Sequence, residues 1–322
     1  MSSPIKHLYK YLIPSMERIS PEKAKDLQRL IDEYKVTFVI DGDSPDMVFE
    51  ANHATKTITL GLRALERLWA QAYAYICLYE FLTRKLLAGS KGGDTDLSTD
   101  PVVAPAMMLL SWAVEVEHSL STGEPYELPW PEELPHPNPT SSKTTLQNAA
   151  DELFLCAIGS ILHHELGHIH RGHDPRKLPQ PDESLKPEED PNAIEHARIR
   201  VEWEKEADRW SADWLLDGLD PRDDRFLKRI LGISLGFLWG ASRNIHTGKF
   251  RTCHHPPAWD RVYQNIKQHV PNEPTHPVWL FLCYIIQLHL NSLGQATEVG
   301  EFDVPEDWAN ALLDRLSKIE PE

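Results

Sequence analysis

Hydrophobic positions along the chain change period once. Between residues 36 and 60 they alternate: Val36-Thr37-Phe38-Val39-Ile40, then Met47-Val48-Phe49, then Thr57-Ile58-Thr59-Leu60. Turn-forming stretches at 41–45 and 51–53 separate the three runs. A period of two with turn punctuation predicts a small antiparallel sheet of three strands. From residue 62 the period becomes helical. Leu62 to Leu87 carries Trp69, Tyr73, Ile76 and Tyr79 near helical spacing, and 102–119 predicts a second helix. Between them, 88–98 (AGSKGGDTDLS) reads as a flexible break. Six prolines (Pro125, Pro129, Pro131, Pro135, Pro137, Pro139) make 121–142 a loop, held to the surface by Tyr126 and Trp130. Thr145 to Arg171 then reads as one long helix with an apolar stripe of Leu146, Ala149, Leu153, Ala157 and Ile161, ended by Gly172 and Pro175. A second proline-rich loop covers 174–193. Helices follow at 193–219, 224–246, 257–269, 276–293 and 306–318. No repeat or heptad is present. The expected fold is α+β and mostly helical, in one domain over 1–322: sheet and helices over 1–120, a proline-rich loop over 121–143, and a helical region over 144–322.

Charge narrows the partners. The chain has 322 residues and a formal net charge of −16, from 49 acidic against 33 basic residues. Nucleic acid and anionic membrane both demand a basic surface, so neither is expected as a partner. The longest apolar runs, Ile230–Ala241 and Val278–Ile286, fall short of the roughly 18 residues that a span needs. The opening MSSPIKHLYKYL has no apolar signal core. Cys77, Cys156, Cys253 and Cys283 show no C-x-x-C spacing and read as reduced core thiols. The expected location is the cytoplasm.

The chemistry concentrates at the end of the 145–171 helix, where ILHHELGHIHRGH packs five histidines and a glutamate. His164-Glu165-Leu166-Gly167-His168 spells H-E-x-x-H. Residues four apart share a helix face, so His164 and His168 can aim at one Zn²⁺, with Glu165 beside it as general base over a water. Catalytic zinc keeps three protein ligands and one open position. Glu204, on the next predicted helix, is the candidate third ligand. Asp208, one turn on, is the candidate partner for a free imidazole N–H. Glu206 faces away and is the weaker ligand candidate. The alternative is that Glu204, Glu206 and Asp208 form only the solvated face of a charged helix, and that the H-E-x-x-H is accidental. His163, His170 and His173 read as packing or surface residues. His255, stiffened by Pro256, is a candidate donor to an oxyanion or, equally, part of a helix-leading turn. A non-catalytic protein whose zinc is closed by a fourth ligand from Cys253 or His255, and a thiol enzyme, remain as rivals.

The block Glu152–Ile158 (ELFLCAI), with Ile161-Leu-His-His-Glu165 and His168, closely resembles the Lit-type phage-exclusion peptidases. So do Glu204-x-Glu-Ala-Asp208 with Trp214-Leu-Leu216, Leu231-Gly-Ile233, and His255-Pro256 with Arg261 and Asn265-Ile266. Ser3-Pro-Ile5 and Pro21-Glu-Lys23 also fit, so the likeness runs in patches from the N-terminus to about residue 266. The chain departs from the pattern in a longer loop between His168 and Glu204 and in Leu166-Gly167 between the two histidines. The resemblance implies a zincin-like metallopeptidase of the glutamate-zinc (gluzincin) type. It implies cleavage of translation elongation factor Tu when a phage head-protein peptide is bound, with translational arrest and abortive infection as the outcome.

Overall fold

The computed structural model describes residues 3–42, 49–87, 100–121, 129–137, 145–181, 189–247, 258–292 and 302–318. Short helices α1 (Tyr9–Leu12), α2 (Ser15–Ile19) and α3 (Ala24–Tyr34) lead into strands β1 (Thr37–Asp41), β2 (Phe49–Asn52) and β3 (Thr57–Gly61). The remainder is helical: α4 (Leu62–Leu87), α5 (Val103–Ser121), α6 (Thr145–Arg171), α7 (Pro191–Leu216), α8 (Asp224–Thr247), α9 (Ala258–His269), α10 (Pro277–Ser292) and α11 (Pro305–Lys318). No described helix is long and apolar enough to cross a membrane.

The other elements gather around α6. Its buried residues include Leu153, Phe154, Ala157, Ile158, Ile161, Leu162, Leu166 and Ile169, which together cover more than one face. A helix apolar on several faces must be enclosed, and α2, α4, α7 and α8 all pack on this one. Each fully buried Leu, Ile or Phe contributes about 1.5–3 kcal/mol, so the axis that carries the histidines is also the best-anchored element. Polar bonds fix its neighbours. Trp69 Nε1 of α4 donates to buried Asp151 Oδ1 at 2.7 Å. Arg229 of α8, 3 % exposed, donates to both Glu22 oxygens at 2.6 and 3.0 Å and to the Leu215 carbonyl at 2.7 Å.

The sheet corrects the sequence reading. Its order is β1-β3-β2. β2 and β3 are antiparallel, as expected, with Ala51 opposite Ile58. Their hairpin is closed by Asn52 Oδ1, which accepts from the Ala54 and Thr55 amides at 2.9 and 3.1 Å. β1, however, lies on the other side of β3 and runs parallel to it, Val39 opposite Thr59. Ile58 and Leu60 of β3 are fully buried, which suits β3 to the middle. β1 therefore flanks it opposite β2, where its direction makes the pairing parallel. Alternation sets which face is buried, not which strand is the partner. The predicted strand residues Met47 and Val48 lie outside the described residues, as do the break at 88–98 and the loop position Tyr126.

Helices over 62–87 and 145–171 coincide with expectation. α7 begins at Pro191 rather than Ala193, because Asp190 caps it by accepting from the Asn192 amide at 2.9 Å and Pro191 suits the first turn. It ends at Leu216, ahead of Gly218 (φ +81°), rather than at 219. Within the first proline-rich stretch, Trp130 packs on Trp112 and Trp69, ring centres 4.7 and 5.7 Å away. The Pro129 carbonyl accepts from Trp112 Nε1 at 3.0 Å.

α8 meets α6 backbone-close at Gly232. A Cβ there would lie 2.6 Å from Cys156 Cβ and 2.9 Å from its carbonyl carbon. Backbone atoms cannot rotate away, so Gly232→Ala is expected to cost about 1–3 kcal/mol of unfolding free energy. At Gly236 the nearest neighbour is the Ile161 Cγ1 atom at 3.3 Å, and Gly236→Ala should cost less. Thermal melts of the two variants check this; equal melting temperatures would refute the close approach.

Candidate active site

The site is made where α7 crosses α6. Gly167 on α6 faces Ala207 and Trp210 on α7: a Cβ at 167 would sit 2.9 Å from Trp210 Cε3 and 3.5 Å from Ala207 Cα. This explains Leu166-Gly167 between the histidines, since Leu166 fills the core and Gly167 admits the second helix. His164 and His168 flank Gly167 on one helix; Glu204 and Asp208 flank Ala207 on the other. The side chains therefore meet in register. Glu204 Oε2 is 3.4 Å from His164 Nε2, and its Oε1 is 3.4 Å from His168 Nε2. The two Nε2 atoms are 3.0 Å apart. Donors about 2.0–2.1 Å from one tetrahedral ion lie about 3.3 Å from each other, so His164, His168 and Glu204 are spaced as a metal would hold them. Among the described residues they are the group that could bind such an ion.

The local charge fits a cation as well. Glu204 and Asp208 are buried and Glu165 and Glu50 line the cleft; of the two arginines that line it, Arg200 and Arg261, it is Arg261 that pairs with both buried acids. Arg261, from α9, grips Asp208 with Nε to Oδ2 at 2.7 Å and Nη2 to Oδ1 at 2.6 Å. Burial alone would push the Asp208 carboxyl up; Arg261's charge and hydrogen bonds, with His164, hold it below its ordinary value. His164 Nδ1 lies 2.9 Å from Asp208 Oδ1, off the line of a straight hydrogen bond. Burial opposes charge on that imidazole, yet Asp208 and Glu204 drive it up to about 10. The acids thus call for positive charge between the two helices. Glu165 is raised to about 7, chiefly by burial, although His164 and the Ala51 backbone amide favour its charged form.

The remaining histidines separate clearly. His163 is fully buried on the far side, its Nδ1 bonding the Gly159 carbonyl at 2.6 Å. His170 packs against Tyr34 and Trp210. Both are packing residues, as read from the sequence. His173 is more than that: its Nδ1 is 3.0 Å from His168 Nδ1, and its Nε2 is 3.0 Å from Glu206 Oε2. Sequence reasoning missed this pairing and the Arg261 grip. The signals were present as a histidine just past the helix-ending Gly172 and an arginine within the resemblance block. His255 and Cys253 lie outside the described residues. Cys77 and Cys156 are pushed up to about 11 by burial, and Cys283 further still, so none of these offers a thiolate near neutral pH.

The His164, His168 and Glu204 group opens on a cleft of about 370 Å³, walled by Phe49, Trp203, Phe237, Trp239 and Arg200. Glu165 also lines it, as do Phe49, Glu50 and Ala51 of β2, a strand paired on one side only among the described residues.

Comparison with known proteins gives the family. The peptidase U49 family matches residues 58–282, from β3 into α10. The chain belongs to the peptidase U49 family. The Lit-type resemblance is thereby borne out as family membership. A relative in Escherichia coli (strain K12), named cell death peptidase, is 28 % identical over 271 residues, covering 83 % of this chain and 82 % of its own. No solved structure is a significant match. Membership of the U49 family and this relative support a peptidase role. The matched segment holds His164, Glu165, His168, Glu204, Asp208 and Arg261.

Two tests follow from the electrostatics. Arg261→Met leaves Asp208 buried without its counter-charge and should cost about 3–5 kcal/mol. Adding Asp208→Asn should recover at least half, and additive losses in chemical denaturation would contradict the pairing. Burial also lowers His163 from 6.5 to about 4. The unfolded chain therefore takes up a proton near pH 6.5 that the native chain refuses until about pH 4. Stability should fall with pH across that window, on the order of 2 kcal/mol by pH 5. His163→Phe should flatten this acid limb in melts from pH 7 to 5; a limb parallel to wild type would refute it.

Proposed function

We propose that the chain is a zinc-dependent endopeptidase of zincin-like, glutamate-ligand type. The observation that carries this is the convergence of His164, His168 and Glu204 on one point, with Glu165 beside them in an open cleft. When bound, zinc would supply Lewis acidity toward a water and a peptide carbonyl. Glu165, shifted close to neutrality, is matched to take a proton from the attacking water and hand it to the leaving amine. Asp208 and Arg261 hold the His164 side of the site. His255 is the proposed donor to the developing oxyanion. An extended peptide would lie along the open edge of β2, pairing as an added strand.

The proposed substrate is elongation factor Tu, cut once a phage-derived peptide has bound it, with anti-phage defence in the cytoplasm as the outcome. This rests on the Lit-type resemblance; the relative's name, cell death peptidase, supports proteolysis with a lethal outcome and not the choice of substrate. The rival, a structural zinc that only ties helices together, needs a fourth protein ligand. Its candidate fourth ligands, Cys253 and His255, lie outside the described residues; His173, the nearest further imidazole described, lies against Nδ1 of His168, the side of the ring away from Glu204.

Glu165→Gln is expected to abolish cleavage of elongation factor Tu while leaving one zinc bound per chain. A chelator should abolish cleavage in wild type, and added zinc should restore it. New N-termini found by mass spectrometry read the cut. Cleavage by Glu165→Gln would reject the base assignment, and equal cleavage with and without phage peptide would reject the gating.

A further inference from the structure

The two imidazoles of the proposed metal site are backed differently. Behind His164 stands Asp208, whose charge is met by Arg261. Behind His168 stands another imidazole. His173 is 4 % exposed, lies parallel to the Trp203 indole (3° between planes, centres 5.0 Å apart), and donates its amide to the His168 carbonyl at 3.1 Å. Its ring is thereby fixed from the backbone side and from its face.

The direction of the hydrogen bonds follows from the proposed metal. If Nε2 of His168 presents its lone pair to the ion, the ring proton is on Nδ1. His173 must then accept at Nδ1 and carry its own proton on Nε2, where the Glu206 carboxylate accepts it. The opposite tautomer of His173 would set two N–H groups against each other at 3.0 Å and turn a lone pair toward Glu206.

We infer that His173 and Glu206 are positioning residues for His168, fixing its tautomer and ring orientation so that Nε2 is held toward Glu204; this rests on the metal-site reading above. An imidazole suits the position better than a further acid. Glu204, Asp208 and Glu165 already crowd the site with negative charge. The neutral His173 ring passes the interaction outward to Glu206, whose side chain is 55 % exposed and solvated.

The test is zinc affinity of the full chain, measured by competition with a chromophoric chelator for wild type, His173→Phe, His173→Gln, Glu206→Gln and His164→Ala. Phe keeps the face against Trp203 but cannot accept a hydrogen bond; Gln can accept from His168 and donate to Glu206. His173→Phe is expected to weaken binding by about 10–100-fold, Glu206→Gln by a smaller factor, and His173→Gln is expected to restore most of the loss. The Co²⁺ form should keep the same absorption bands in wild type and His173→Gln, because the ligand set is unchanged. Glu206 is largely exposed, so its variant carries the test should His173→Phe fail to fold. Affinities for His173→Phe and Glu206→Gln within about twofold of wild type, with His164→Ala weakened, would overturn the relay alone. Shifted Co²⁺ bands in His173→Gln would overturn it too, by making His173 a ligand. Wild type and His164→Ala binding zinc alike would overturn the metal site and the relay together.

Discussion

The close approach of α7 to α6 at Gly167 is the constraint on which the site depends. Imidazoles on one helix and a carboxylate on another meet only if their backbones come near in the right register. Gly167 and Ala207 supply both conditions. The small residue on each helix lies between the two functional residues, so 164 and 168 straddle one side of the contact while 204 and 208 straddle the other. A side chain at 167 would push against Trp210 and lift α7 away. The 3.4 Å separations of Glu204 from both rings would be the first distances lost. The geometry is therefore a property of packing before it is one of chemistry.

Packing this tightly creates an electrostatic demand. Buried Glu204 and Asp208, with Glu165 beside them in the cleft, outnumber the Arg261 guanidinium that pairs with them, and isolated buried charge is costly. Arg261 answers Asp208 directly. Glu204 lies 3.7 Å from the same guanidinium and 3.4 Å from each imidazole, and an imidazole adds to the offset by carrying a proton or by sharing a cation. His164 is raised against its own desolvation by Asp208 and Glu204, so that point favours positive charge. A divalent ion meets the same demand and keeps both rings neutral, which is the form that ligates metal.

How much of this was legible in the sequence depended on the range of the interaction. The spans of α4 and α6 followed from helical periodicity, and the pairing of His164 with His168 from a spacing of four. Glu204 and Asp208 were found because the same spacing recurs on a second helix, and because three ligands are what a catalytic zinc requires. What sequence could not give was partnership between distant segments. Alternation in β1 looks the same whether the strand pairs with β2 or with β3, so the parallel β1–β3 pair was misread. His173 follows a helix-ending glycine and looks like surface. Its position against His168 appears only when α7 brings Trp203 and Glu206 to it across the intervening loop. Arg261 belonged to the resemblance block, but its grip on Asp208 requires α9 to fold back over α7.

The strand and the helix are also joined at the base itself. The Ala51 backbone amide favours the Glu165 carboxylate, and Ala51 belongs to β2, the strand whose outer edge rims the cleft. A peptide pairing along that edge would press on the element that orients Glu165. β2 is held on its inner side by β3, whose Ile58 and Leu60 are buried in the core. The amide that favours the Glu165 carboxylate is therefore held in place from the core side of the sheet.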